Sequence, residues 1–205
     1  ITNMSTGRTG RIMAERFAAL GCGTVCVCAK GAERPAGRNI SVKEFTTFKD
    51  LYLALQRLLK TQVFYAVVHL AAVSDYSPAS IEAAGKKFAP GRTAKLDSKA
   101  PEMTLVLKRN FKIIDRIKKY AATGGRPEPL LIGFKLTSGA AAPAVLEKVL
   151  ALSSADLVVH NDLAGMKKKR LFHLYRNGKR LADCGGPEEL ADRLLLRVGA
   201  GILHA

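Results

Sequence analysis

VFYAVVHLAAV, residues 63–73, is almost continuously apolar, and it is too short and too β-branched to be a helix. A strand with one wet face alternates polar and apolar positions. A run without that alternation suits a strand covered on both faces, as in a parallel sheet between helical layers. The flanking sequence supplies those layers. EFTTFKDLYLALQRLLK, 44–60, sets Leu51, Leu55, Leu58 and Leu59 on one side of a helix, and Ile12, Met13, Phe17 and Leu20 recur at helical spacing through 8–20. GTVCVCAK gives a strand over Thr24–Ala29. Downstream come the strand MTLVL at 103–107, the helix FKIIDRIKKYA at 111–121 and the strand PLLIGFKL at 129–136. A helix near 142–152, the strand ADLVVHN at 155–161 and a closing helix from Pro187 complete the alternation. RLFHLYRNGKRL, 170–181, reads as two strands about an Asn177-Gly178 turn. The expected fold is α/β, a doubly wound and mostly parallel sheet with a β-hairpin near the C-terminus. With 205 residues, one domain over 1–205 is expected.

Charge narrows the partners. There are 33 Lys and Arg against 17 Asp and Glu, a net charge of +16, which favours polyanions or small phosphorylated ligands. No run approaches the roughly 18 apolar residues of a membrane span, so no membrane partner and a cytoplasmic setting are expected. Four cysteines occur, at 22, 26, 28 and 184, while His69, His160, His173 and His204 lie far from them in sequence. Strand packing explains the cysteines better than a metal site, and no metal ligand can be named.

Several segments carry candidate chemistry. In ITNMSTGRTGR, 1–11, Asn3, Ser5, Gly7 and Gly10 run straight into a helix. Such a turn offers unpaired backbone N–H groups and the positive end of a helix dipole to a phosphate, although an ordinary loop has the same composition. The pattern also gives the sheet a Rossmann-like look. AAVSDY, 71–76, follows the strand at 63–70, where α/β sheets bind ligands. Ala71 and Ala72 let a ligand lie against backbone, and Asp75 either accepts from that ligand or caps a turn. Phe134 can stack a base or fill the core, and Asn161 can read a nucleotide or cap a helix. Residues 77–101 hold Pro78, Gly85, Pro90, Gly91 and Pro101 and read as a long mobile loop, a lid carrying Lys95.

The order ITNMSTGRTG, EFTT, HLAAVSDY, KLDS, LIGFKL, ADLVVHND resembles phosphopantothenate–cysteine ligase, or phosphopantothenoylcysteine synthetase, of the stand-alone type, from residue 1 to about 195. The resemblance implies a step of coenzyme A biosynthesis. A nucleoside triphosphate activates the carboxylate of 4′-phosphopantothenate as an acyl-nucleotidylate, and cysteine's amine then attacks. Either CTP or ATP serves in such enzymes, and LIGFKL favours CTP. By the same resemblance Asn3 and Lys95 are catalytic, and Asn3, Ala71, Ala72 and Asp75 contact the substrate. Ser5, Gly7, Gly10, Phe134, Lys148 and Asn161 contact the nucleotide. Mg2+ would come mainly with the triphosphate, and a homodimer is implied. Such ligases carry a first strand and a glycine-rich turn before ITN, so the resemblance implies that strand ahead of residue 1, where this sequence does not reach. NFK, 110–112, replaces a usual proline-containing segment.

Two other classes fit less well. An NAD(P)-dependent reductase could use TGRTGR as its dinucleotide turn, but the strand ending Cys28-Ala29-Lys30 lacks the acidic residue that holds a ribose, and Tyr76 is not followed by a lysine four residues on. A nucleic-acid-binding module would interleave its basic residues with aromatics, which make up only 6% here, and no nucleic-acid partner is expected.

Overall fold

The computed structural model describes residues 5–83, 85–90, 101–166 and 171–202. The chain divides into two compact units, one formed by residues 5–71 and 113 onward, the other by residues 72–112.

The larger unit opens with helix α1 (Arg8–Ala19) and strand β1 (Thr24–Ala29), which pairs in parallel with β2 (Ile40–Phe45), Thr24 opposite Ile40. Helix α2 (Phe48–Thr61) and strand β3 (Ala66–His69) follow. In the later part of the chain, a 3-10 turn at Ile113–Arg116 leads into the helix at Ile117–Thr123, here α3. Strand β7 (Leu130–Thr137), helix α4 (Ala142–Leu150), strand β8 (Leu157–Asp162) and the short α5 (Leu163–Met166) come next. Strands β9 (Phe172–Arg176) and β10 (Lys179–Cys184) and helix α6 (Pro187–Ile202) close the unit. One five-stranded sheet has the order β10-β9-β8-β7-β3. Its β3, β7 and β8 are parallel, and β9 lies antiparallel to both its neighbours, β8 and β10. The β9–β10 turn places Asn177 at φ 49° and Gly178 at φ 73°, the two left-handed positions an Asn-Gly hairpin turn needs.

β7 and β8 are buried on both sides, as their apolar runs require, and β3 is half-buried along its length. Met13 of α1 and Leu190, Ala191 and Leu194 of α6 join Ile132, Val159 and Leu174 in one core cluster. Leu131 turns the other way, onto Leu59 of α2 and Ile117 and Tyr120 of α3, and Val158 meets Val145 and Val149 of α4. Leu131 and Ile132 are both fully buried although they point to opposite faces. The doubly wound α/β arrangement with its C-terminal hairpin is therefore present.

The smaller unit is an antiparallel sheet of order β5-β4-β6, with β4 at Tyr76–Ala83, β5 at Lys86–Phe88 and β6 at Met103–Arg109. These strands correct the reading of 77–101 as one loop. Pro78 does not break β4, because it sits at a register shift between Pro78 and Ser80, where a ladder N–H is dispensable. Lys95 and the rest of KLDS lie outside the described residues. Other boundaries also move. Residues 44–45 belong to β2 rather than to a helix, because α2 starts where a capping box forms. Thr47 Oγ1 accepts from Asp50 N at 3.1 Å, and Asp50 Oδ2 accepts from Thr47 N at 2.9 Å. The strand expected over 63–73 is ordered as β3 only at Ala66–His69. The helix expected over 111–121 begins as a 3-10 turn and reaches Thr123.

Candidate functional site

The first turn of α1 has no acidic residue and no side-chain hydrogen bond at its N-cap. Its N-cap is Gly7, at φ 77°, where a Cβ would lie 2.8 Å from Ala32 Cβ, so glycine alone fits. The first intrahelical bond is Arg11 N to Gly7 O at 2.9 Å, which leaves Arg8, Thr9 and Gly10 N–H without helical acceptors. Arg8 N reaches Thr6 Oγ1 at 3.3 Å. Thr9 and Gly10 N–H remain, and with no acidic residue in the first turn this terminus favours an anion. Ser5 is exposed beside it. Arg11, by contrast, is committed to protein carboxylates, with Glu15 at 2.7 Å and Glu33 at 2.8 Å. Glu33 N in turn donates to Thr6 O, which pins the turn after β1 against the start of α1.

This terminus sits at the carboxyl ends of β1 and β3. A Cβ on Gly10 would meet Leu70 Cδ1 at 3.4 Å, one residue before Ala71. His69, the last residue of β3, has its imidazole pushed down to about 4 by burial, so it is a neutral group there. The structure thus brings Gly7 and Gly10 to the strand end that leads into Ala71.

Phe134 and Asn161 lie on the α1 side of the sheet, by alternation with the buried Ile132 and Val159. Phe134 is half-buried against that core cluster and meets Phe172 edge-on, ring centroids 6.5 Å apart. Part of this ring therefore packs in the core. Lys148 is exposed on α4, the helix that covers the opposite face, and its charge is felt at His160. The structure does not set it on the face of Phe134 and Asn161.

In the smaller unit Ala72 and Asp75 are exposed. The turn that carries Asp75 is held by Asn110, a residue absent from the sequence reading of the site. Asn110 N donates to Asp75 O at 2.8 Å, Asn110 Nδ2 to Ser74 O at 3.0 Å, and Ser77 Oγ to Asn110 Oδ1 at 2.9 Å. The unusual NFK segment was the available signal. Asn3 and Lys95 lie outside the described residues.

The cysteines are all free thiols; Cys184 is buried and Cys22, Cys26 and Cys28 are half-buried. Burial and the neighbouring Cys28 push Cys26 up to about 11, which makes it a poor nucleophile. Among the described residues no three His, Cys, Asp or Glu side chains gather to hold a metal ion. No helix among them is long and apolar enough to cross a membrane.

A comparison with curated protein sequences gave no match. Among solved structures, the DNA/pantothenate metabolism flavoprotein from Streptococcus pneumoniae is 27% identical, with a TM-score of 0.81 over 98% of this chain and 90% of that one. The C-terminal domain of the coenzyme A biosynthesis bifunctional protein CoaBC shares the fold at 19% identity, with a TM-score of 0.68 over 100% of this chain and 87% of that one. A Cab2 variant in complex with phosphopantothenate-cysteine shares it at 17% identity, with a TM-score of 0.74 over 100% and 81%. The family model described as the DNA/pantothenate metabolism flavoprotein C-terminal domain matches residues 1–200, and the chain belongs to that family.

Proposed function

We propose that this chain is a phosphopantothenate–cysteine ligase of coenzyme A biosynthesis. The observation that carries the reading is the N-terminus of α1, with no acidic residue in its first turn, at the carboxyl ends of β1 and β3 in a member of this family. A carboxylate oxygen of 4′-phosphopantothenate attacks the α-phosphorus of a nucleoside triphosphate, and pyrophosphate leaves. Cysteine's amine then attacks the acyl carbon of the acyl-nucleotidylate, loses a proton and expels the nucleoside monophosphate. The products are 4′-phosphopantothenoylcysteine, pyrophosphate and the nucleotide.

The first step gathers negative charge at the α-phosphate, and preorganised N–H donors stabilise it without having to reorient. In this reading the amides after Gly7, with Ser5 and Gly10, hold the phosphates. Asn3 lies near the reacting carbonyl, and Ala71, Ala72 and Asp75 hold the pantothenate. Phe134 and Asn161 contact the nucleotide, and Lys95 reaches the phosphates. Mg2+, when bound, would offset phosphate charge and would be carried mainly by the triphosphate. CTP is the favoured nucleotide, and a cytoplasmic homodimer is the expected form. Mass spectrometry of products tests this reading. Phosphopantothenoylcysteine should form only when phosphopantothenate, cysteine and a nucleotide are all present, and faster with CTP than with ATP. Product formed without a nucleotide would overturn it.

A further inference from the structure

At the carboxyl ends of β7 and β8, on the α4 face, lies a polar network that the reaction above does not use. Thr137 Oγ1 is 2.5 Å from Asp162 Oδ2 and 2.8 Å from His160 Nε2. Thr137 and His160 are both buried, at 4% exposure each. A carboxylate can only accept, so the single hydroxyl proton of Thr137 goes to Asp162. The hydroxyl oxygen must then accept from His160, which fixes the ring as the Nε2–H tautomer. His160 Nδ1 is left as a bare acceptor, buried with no partner. Protonating it would bury a charged N–H without an acceptor. Burial, together with the nearby His173, Arg180 and Lys148, lowers the pKa of His160 despite Asp162, so the ring stays neutral and the direction of the relay stays fixed. His173 stacks on His160 with centroids 5.8 Å apart, which limits its rotation.

The far end of the relay shapes backbone. Asp162 Oδ1 accepts from Gly139 N at 3.1 Å and from Ala164 N at 2.8 Å. One carboxylate therefore ties the segment after β7 to the end of β8, beside Asn161. A free carboxylate would have several rotamers open to it. The Thr137 hydroxyl selects the one that reaches both amides.

We propose that Thr137 is a positioning residue of the nucleotide subsite, holding, from the fixed ring of His160, the Asp162 carboxylate that sets the backbone beside Asn161. This rests on the reading of Asn161 as a nucleotide contact. Thr137 does not touch the nucleotide; it acts through Asp162. Valine has the shape of threonine but no proton to give. Thr137→Val should raise the nucleotide KM about tenfold or more, the scale of losing one hydrogen bond to a charged group. The phosphopantothenate KM and kcat should stay within about twofold, and Thr137→Ser, which keeps the hydroxyl, should recover most of the nucleotide KM.

Steady-state kinetics of the two variants, beside 15N NMR of His160 in the unmodified protein, test the proposal. The expected NMR result is the Nε2–H tautomer, which does not depend on the valine variant folding. The Nδ1–H tautomer would reverse the hydroxyl and overturn the proposal. So would a folded Thr137→Val with an unchanged nucleotide KM, a uniform loss in all three kinetic parameters, or a serine variant as impaired as the valine one. If the unmodified protein forms no phosphopantothenoylcysteine, the ligase reading fails and takes this proposal with it. If it forms product and only the variants depart from expectation, this proposal alone fails.

Discussion

Asn110 shows how much one side chain can do for a turn. It supplies two donors and one acceptor to residues 74–77 and so holds the backbone that carries the exposed Asp75. Asn110→Ala removes both side-chain bonds and keeps the backbone one. If Asp75 contacts phosphopantothenate, that KM should rise about tenfold while the nucleotide KM holds steady, as steady-state kinetics with each substrate varied would show. His69 gives a pH dependence. Its folded pKa, about 4, lies below the unfolded value of about 6.5, so between these the unfolded chain binds more protons. The stability from keeping His69 neutral is complete above about pH 6.5 and is lost as pH falls toward 4. It amounts to at most about 3 kcal/mol, given its partial exposure. Urea midpoints measured from pH 8 to pH 4 should fall over that window, and His69→Phe should flatten the fall. An equal fall in both proteins would assign it to other groups.

At the scale of elements, α1 is held by apolar packing more than by its ion pair. Met13 is 2% exposed within the main core cluster, so Met13→Ala should cost about 2–5 kcal/mol. Arg16 makes a two-pronged pair with Asp192 of α6, at 2.6 and 3.0 Å, but both side chains are about two-fifths exposed. Arg16→Ala should cost clearly less than Met13→Ala, and chemical denaturation of the two variants compares them. Element type was most legible where burial fixed the pattern. The apolar runs at 66–69, 130–136 and 157–159 have helices on both faces, and each was readable as a parallel strand. The failures came where burial is slight. β2 carries the exposed run Ser41–Glu44. Ser41–Glu44 therefore left no core period to read. β4 was hidden by its proline, since a register shift that tolerates Pro78 is a property of the pairing and not of the local sequence. The Thr47–Asp50 capping box was visible in TTFKD and would have placed the start of α2 correctly.

Across the whole molecule, the sequence carried the family and the glycine-rich turn that opens α1, because both depend on local composition. Gly7 at a left-handed N-cap and Gly10 against Leu70 are what a glycine-rich turn entering a helix should produce. The relay of Thr137, His160 and Asp162 was not legible. It joins residues up to 25 positions apart through the register of two parallel strands, and no motif spells out such a pairing. Nor did sequence show that Arg11 is neutralised by Glu33, 22 residues away, or that Lys148 belongs to the opposite helical layer from Phe134. Charge at this scale, +16 overall, agrees with substrates that bring several phosphate groups. The most direct test of the ligase reading is pyrophosphate release from CTP, followed with phosphopantothenate and with or without cysteine. Release should require phosphopantothenate, should occur once per active site without cysteine, and should become continuous when cysteine is added. Release that is independent of phosphopantothenate, or no release from either CTP or ATP with every substrate present, would contradict the account.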